Sequence, residues 1–384
     1  MQTYDVIVIG AGSVGVPTAL ALAAQKLRVL VVDARPSPGQ GENKHAIGGI
    51  RATHSDPAKI LVCRRSLELF ATWQERYGDD IEWLQGGYAF PVYRPQEEAL
   101  LKSYLPVQRR FDLEIEFVGA ARMREIIPGI NPAGLLGGTF SPGDGSASPL
   151  LAINAFYRRA CVLGAEFRFG ERVTAIEMEA GRVTGVSTAK GRYQAAVVID
   201  AAGAGSRELS HATGCQVPVT CEAHEAGITE PVAGFCPTMV VDLRPGPGSR
   251  NYYFYQNRHG QVVFCITPDP PIIGAFYEET SIFLPQVCAR MIDILPLLQN
   301  IRVRRVWRGL YPMTDDGSPL VGWNPAVRGL LHAAGMCGQG FMLGPGLGEI
   351  LTRVVTGRTD PRDAVVLEGF ALDRDLGCRT EALK

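Results

Sequence analysis

Gly10, Gly12 and Gly15 stand in the spacing G-x-G-x-x-G directly after the apolar run Val6–Ile9, and an acid, Asp33, closes the next apolar run eighteen residues beyond Gly15. Residues of these types at this spacing suit a dinucleotide. Gly10 permits a tight turn, Gly12 lets backbone N–H groups approach a pyrophosphate, Gly15 lets helix and strand pack closely, and Asp33 accepts from ribose hydroxyls. The loop from Gly10 through Ala11, Gly12, Ser13 and Val14 to Gly15 would set the phosphates on a helix N-terminus, where unpaired N–H groups and the dipole favour negative charge. Ala34 and Arg35, next to the acid, belong to the same expected site. Pro17 falls early in that helix, where few backbone bonds are lost.

A second set of residues carries different chemistry. Arg51 follows Gly48, Gly49 and Ile50 in an irregular loop that also holds His45. A guanidinium fork suits bidentate recognition of a carboxylate, with a structural ion pair as the alternative role. Tyr253 and Tyr255 share a strand face at period two, as site residues or as aromatic core. The nine cysteines are odd in number, scattered and without a C-x-x-C pair, and the six histidines lack H-x-x-x-H or H-E-x-x-H spacing. Reduced core thiols are expected, with neither a disulfide framework nor a metal.

The elements that must position these groups change character along the chain. A helix is expected from Asp56-Pro57 to Tyr77, with Asp56 as N-cap. Two short strands are expected around Gly86-Gly87, then helices at Gln96–Arg110 and Pro149–Leu163. Strands at 166–169, 172–176, 182–186 and 196–200 follow, separated by glycine turns. The last runs into Ala201-Ala202-Gly203-Ala204-Gly205, where Glu208 replaces a third glycine, so it is no second fingerprint. Alternating segments at 238–243, 252–256 and 262–267 argue an antiparallel sheet with one face buried. A helix at 284–295, a strand at 329–334, a glycine-dense turn from Gly335 and a helix at 345–356 complete the reading.

Composition sets outer bounds. The 384 residues are 46% hydrophobic and 20% charged with a net charge of −1, which favours a globular protein and gives no basic patch for nucleic acid or anionic lipid. No apolar run approaches the ~20 residues of a membrane span, and the first strand starts close to Met1 with no signal peptide ahead of it, so a cytoplasmic location is expected.

Taken together, the N-terminal fingerprint, Gly48-Gly49-Ile50-Arg51, Arg172-Val173, Ala202-Gly203, the segment Gly309 to Gly317 and the segment Gly335 to Pro345 resemble FAD-dependent amine oxidoreductases of the D-amino-acid oxidase superfamily. The likeness is to the branch of glycine and sarcosine oxidases, the β subunits of sarcosine oxidase and proline dehydrogenase, and dimethylglycine dehydrogenase. It implies an α/β plus α+β fold: a Rossmann-like FAD-binding domain from 1–82, 146–220 and 307–384, and an interleaved substrate domain on a largely antiparallel sheet from 83–145 and 221–306. It also implies that Val173 meets adenine, that Gly48-Gly49 passes the flavin, and that Gly335, Gly338, Gln339, Gly340, Phe341 and Met342 follow the pyrimidine edge. The cofactor would be non-covalent, since Gly309 stands where monomeric sarcosine oxidase has its linking cysteine.

By the same resemblance Arg51 binds the substrate carboxylate, and Tyr311 replaces the arginine of glycine oxidases. The implied reaction is oxidation of an amine α to a carboxylate by hydride transfer to flavin N5, giving an imine that hydrolyses. Sarcosine, glycine, proline and iminodiacetate-like acids all qualify as substrates. The position of the oxygen-activating lysine falls near Phe264, which leaves O2, another acceptor or a partner subunit open as the electron sink. The alternative is therefore the amine-oxidising β subunit of a larger complex. A nicotinamide-dependent dehydrogenase would share the fingerprint but not the later segments.

Overall fold

The computed structural model describes residues 2–211, 213–377, 381 and 383. The chain enters as β1 (Gln2–Ile9), α1 (Gly15–Ala24), β2 (Val29–Asp33), the two-residue β3 (Gly49–Ile50) and α2 (Pro57–Tyr77). Helix α2 starts where the sequence places it, because the Asp56 side chain accepts from the Ala58 N–H and Pro57 needs no donor in the first turn. Next come β4 (Tyr88–Val92), α3 (Pro95–Arg110), β5 (Glu116–Gly119), α4 (Ala120–Ile126), β6 (Gly137–Ser141), β7 (Gly145–Ser146) and α5 (Pro149–Val162). The expected pair of strands around Gly86-Gly87 is only one, β4. Leu84 makes an isolated bridge to Ser146 instead, because the backbone there turns to meet the β3–β7 ribbon.

From α5 the chain runs through β8 (Glu166–Phe169), β9 (Val173–Glu179), β10 (Arg182–Thr188), β11 (Gly191–Asp200) and α6 (Ser206–His211). It continues into β12 (Thr220–Pro231), β13 (Met239–Asp242), β14 (Ser249–Gln256), β15 (Gln261–Pro268) and α7 (Phe283–Ile294). The last part holds β16 (Val303–Met313), β17 (Leu320–Trp323), β18 (Leu330–Ala334), α8 (Gly340–Thr356) and α9 (Pro361–Gly369).

Two sheets organise these elements. In the first the order is β17-β18-β11-β1-β2-β8, with the β9–β10 hairpin on β11, and β11, β1, β2 and β8 pair in parallel. Its central strands β1 and β2 are buried on both faces over Val6–Ile9 and Val29–Val32, which is why these read as unbroken apolar runs. Helices α1, α2, α5 and α8 cover one face, and the hairpin covers Ile7, Leu30 and Val32 on the other.

The second sheet has the order β16-β12-β15-β14-β13-β4-β6-β5 and is antiparallel except between β13 and β4. One face packs Tyr252, Phe254, Phe264 and Ile266 on α4 and α7, and the other face is turned toward the first sheet's nucleotide-binding edge. Strand β16 hydrogen-bonds to β12 along ten residues of register, so residues 307–313, grouped from sequence with the nucleotide-binding segments, lie in this second sheet.

The final long helix begins at Gly340 rather than 345. Pro345 therefore sits inside it, in a stretch where glycines let the helix press on its neighbours. A Cβ on Gly344 would lie 1.8 Å from the Ser13 carbonyl oxygen, and one on Gly346 would lie 2.2 Å from that of Val62. Backbone contact with α1 and α2 offsets the proline's cost and sets where the helix's positive end emerges.

Four of the eight described cysteines, Cys63, Cys236, Cys265 and Cys337, are buried thiols, as expected. Cys161 is exposed and Cys215, Cys221 and Cys288 are half-buried, which corrects the core assignment for those four; Cys378 lies outside the described residues. Among the described residues no helix is long and apolar enough to cross a membrane, and no group of three His, Cys, Asp or Glu side chains is placed to hold a metal ion.

Candidate active site

A cavity of about 930 Å³ runs from the fingerprint of the first sheet to the open face of the second. Such a volume is ample for a cofactor with a small substrate beside it. Gly10, Gly12, Ser13, Val14, Asp33, Ala34 and Arg35 line one end, with Val173, Ala202 and Gly203 beside them. His45, Gly48, Gly49, Gly338, Gln339, Gly340, Phe341 and Met342 line the middle. Tyr253, Tyr311 and Arg51 line the far end.

Five expected site residues are not on the wall, and each has another role. The Ala11 N–H donates to Asp33 Oδ2 at 2.6 Å while Arg35 N–H donates to Oδ1 at 2.6 Å, so the carboxylate is aimed by backbone. Gly15 is steric, since a Cβ there would lie 1.8 Å from the Gly10 carbonyl oxygen. Ile50 is wholly core. Tyr255 donates its hydroxyl to the Ile47 carbonyl at 2.6 Å and so holds the His45 loop rather than facing the cavity. Gly335, at φ +66°, makes the turn and packs on Thr314.

The far end is built by strand alternation. Thr220, Glu222, His224 and Ala226 of β12 all face the cavity at period two, opposite Gly309, Tyr311 and Met313 of β16. Tyr253 of β14 and Cys265 of β15 join them. The two phenols meet at 2.9 Å, and burial raises the pKa of both far above that of a free tyrosine. His224 stacks flat on the Tyr311 ring, with centroids 3.9 Å apart and planes at 10°. Sequence reading passed over His224 and Glu222; the signal was there in the alternation of β12, but only pairing with β16 shows which side faces the site.

Arg51 departs from its expected pose. Its guanidinium is buried and donates to the carbonyl oxygens of Thr53 and Leu383, above the rings of Tyr88 and Phe90. Around it lie His54, Lys59 and Glu381, all buried. Burial alone would raise the Glu381 pKa, but Lys59, His54 and Arg51 hold this carboxyl far below the usual range. Asp144 fixes the same loop by accepting from Ala52 N–H at 2.9 Å and Thr53 Oγ1 at 2.6 Å, and burial pushes its pKa up to about 6. Phe264, where a lysine was sought, is turned into the second sheet's core; Cys265 takes the cavity side.

A family model described as FAD dependent oxidoreductase (DAO) matches residues 5–354. The chain belongs to the DAO family of FAD-dependent oxidoreductases. This DAO-family chain is 26% identical over 384 residues to glycine oxidase of Bacillus licheniformis, covering 97% of this chain and 98% of that one. It is 24% identical to mitochondrial sarcosine dehydrogenase of Homo sapiens over 94% of its own length, and spans about 40% of that longer protein. Among solved structures it superposes on L-proline dehydrogenase from P. horikoshii with a TM-score of 0.91 at 27% identity, covering 99% of both chains.

The residues of the DAO-family chain fit the family's cofactor. A Cβ on Gly12 would find no heavy atom within 4 Å, so this backbone faces open cavity where a pyrophosphate needs close approach. Buried Gln339 Oε1 has no hydrogen-bond partner among the described residues, and Gln339 lines the cavity where an N–H of a bound ring could reach it. The N-terminus of α8 at Gly340 opens beside it, a favourable place for negative charge.

Proposed function

We propose that the chain oxidises an amine α to a carboxylate, a secondary or N-substituted amino acid such as sarcosine, glycine, proline or an iminodiacetate-like acid. The observation that carries this reading is the single cavity joining the fingerprint to the polar, aromatic face of the second sheet. The names of the relatives point to the same class of substrate. FAD, when bound, supplies the two-electron acceptor.

The protein positions the substrate and excludes water. Tyr253 and Tyr311, both protonated, present a linked pair of hydroxyls, and Gly338 lies against the Tyr311 ring so closely that a Cβ would come within 2.2 Å of it. Two arginines, Arg51 and Arg250, line this end. Arg51 serves a carboxylate only if the Leu383 carbonyl gives way, whereas Arg250 stands at the rim with its Nε 3.3 Å from Asp269 and its side chain half-exposed. Arg250 is therefore the anchor we assign in this arrangement.

A second reading, a dehydrogenase or subunit handing electrons to a partner, is favoured by the absence of lysine among the described residues lining the cavity. The match to the β subunit of sarcosine oxidase from Rhodobacter capsulatus, at 23% identity, supports it as well. Anaerobic bleaching of the purified flavoprotein by a panel of amino acids, followed by the rate of reoxidation in air, tests both. Bleaching by no amine would end the first reading, and fast reoxidation by oxygen would end the second.

A further inference from the structure

The second sheet's wall of the cavity has a dip beside the phenol pair. Ala226 of β12, Cys265 of β15, Tyr253 of β14 and Val241 of β13 stand in register as one row across four strands, and all four line the cavity. Side chains in register share a face, so their sizes give the relief of the wall. Tyr253 is large, while Ala226 and Cys265, on adjacent strands, are small. On the far side of Ala226 its β16 partner is Trp307, whose indole N–H donates to the His45 carbonyl at 2.8 Å, so the loop carrying His45 closes the dip there.

The next row along the same face, Ile228, Val263 and Tyr255, carries large side chains, and the Tyr255 hydroxyl holds Ile47 against it at 2.6 Å. None of these three lines the cavity. The row of Ala226 and Cys265 is therefore where the cavity ends in this direction.

We propose that this dip receives the substituent on the substrate's nitrogen, and that Ala226 and Cys265 set how large that substituent can be. The assignment rests on the amine oxidation proposed above, with the carboxylate on Arg250. Arg250 precedes Tyr253 by three residues of β14, about 10 Å along a strand. The carboxylate thus lies toward the rim, and the part of the substrate farthest from it lies toward the row. In an N-substituted glycine that part is the N-substituent.

The floor offers it apolar surface alone: the Ala226 methyl, and a Cys265 thiol whose hydrogen goes to the Glu225 carbonyl at 3.0 Å. Both residues are buried, so carbon laid on them is carbon removed from water. Glycine leaves the dip unfilled, whereas an N-ethyl or N-propyl group or a proline ring fills it. An N-carboxymethyl group would bring an unpaired charge onto the apolar floor, which ranks iminodiacetate-like acids last. Secondary amino acids with a few apolar carbons on nitrogen are the preferred class.

Anaerobic flavin reduction by glycine, sarcosine, N-ethylglycine, N-propylglycine, proline and iminodiacetate, compared as second-order rate constants, tests the proposal. In wild type the constant should rise ~4-fold per methylene from sarcosine to N-propylglycine, the worth of burying each one, with iminodiacetate below sarcosine. Ala226→Leu puts three further carbons on the floor and should lower the ratio of N-propylglycine to sarcosine at least ~10-fold. Ratios are read because a loss of FAD or of folded protein cancels in them. A ratio left where it was by Ala226→Leu would overturn the proposal, and so would a wild type reduced fastest by iminodiacetate.

Cys265→Ala supplies a second arm should Ala226→Leu fail to fold. Removing the sulfur deepens the dip, so the ratio of N-butylglycine to N-propylglycine should rise ~4-fold; no rise overturns the floor. If no amino acid bleaches the wild-type protein, the proposed reaction falls, and this assignment with it. If wild type bleaches but ranks the series without regard to the N-substituent, only the assignment falls.

Discussion

The hydroxyls of Tyr253 on β14 and Tyr311 on β16 meet at 2.9 Å on the cavity side of the second sheet, although β12 and β15 run between the two strands. Burial keeps both phenols protonated through the physiological range. Tyr253→Phe and Tyr311→Phe should each leave the melting temperature within a few degrees and slow anaerobic flavin reduction about tenfold, the equivalent of one hydrogen bond of about 1–1.5 kcal/mol. Unchanged reduction in both variants would make the pair simple core.

Gly12 and Gly15 belong to one motif yet should fail differently. Gly12→Ala projects into open cavity, so the apoprotein should melt as wild type does and bind FAD at least ~10-fold more weakly, by equilibrium titration. Gly15→Ala meets the Gly10 carbonyl oxygen, so it should destabilise the apoprotein by about 1–3 kcal/mol. Equal effects of the two changes on apoprotein stability would contradict the geometry.

Arg250→Ala should raise the substrate concentration for half-maximal flavin reduction about tenfold with no change in melting temperature, since its partner Asp269 is half-exposed. Arg51→Ala should instead lower stability by about 2 kcal/mol or more, because it strips buried carbonyl oxygens of a charged donor. The reverse pattern, with Arg51→Ala stable but unable to bind amino acids, would return the carboxylate to Arg51.

Glu381 governs the acid limb of stability. Its pKa in the folded chain lies far below the ordinary 4.5, so it contributes fully above about pH 4.5 and that contribution is lost as pH falls toward the folded-state value. Glu381→Gln, by leaving Lys59 and Arg51 without their buried counter-charge, should cost about 3–5 kcal/mol at pH 7 and flatten the loss on acidification, read by urea unfolding. Asp144 works in the opposite sense: its pKa is raised by burial from 3.8 to about 6, so its contribution declines as pH rises through that window. An acid limb as steep in Glu381→Gln as in wild type would show that other carboxylates govern it.

Local chemistry made half of this protein readable before any coordinates. Val6–Ile9, the three glycines and Asp33 are contiguous or nearly so, and each works through backbone within its own β–α–β unit, so nearness in sequence is nearness in space. The caps of α2 and the antiparallel pairing of β13, β14 and β15 were legible for the same reason, although both faces of those strands are buried where alternation suggested one. What needed the folded chain were contacts between distant segments. Whether β16 joins one sheet or the other depends on β12, 74 or more residues away along their register, and no period in β16 reveals it. The glycines of α8 make sense only against the backbones of α1 and α2. Arg51 sits where a fork beside glycines suggests a ligand, yet Leu383 and Thr53 take its donors, and His224 gains its place only once β12 lies beside β16. A strand's period says which residues share a face; the partner across the sheet decides which face meets the cavity, and that choice is made by packing energy summed over the whole fold.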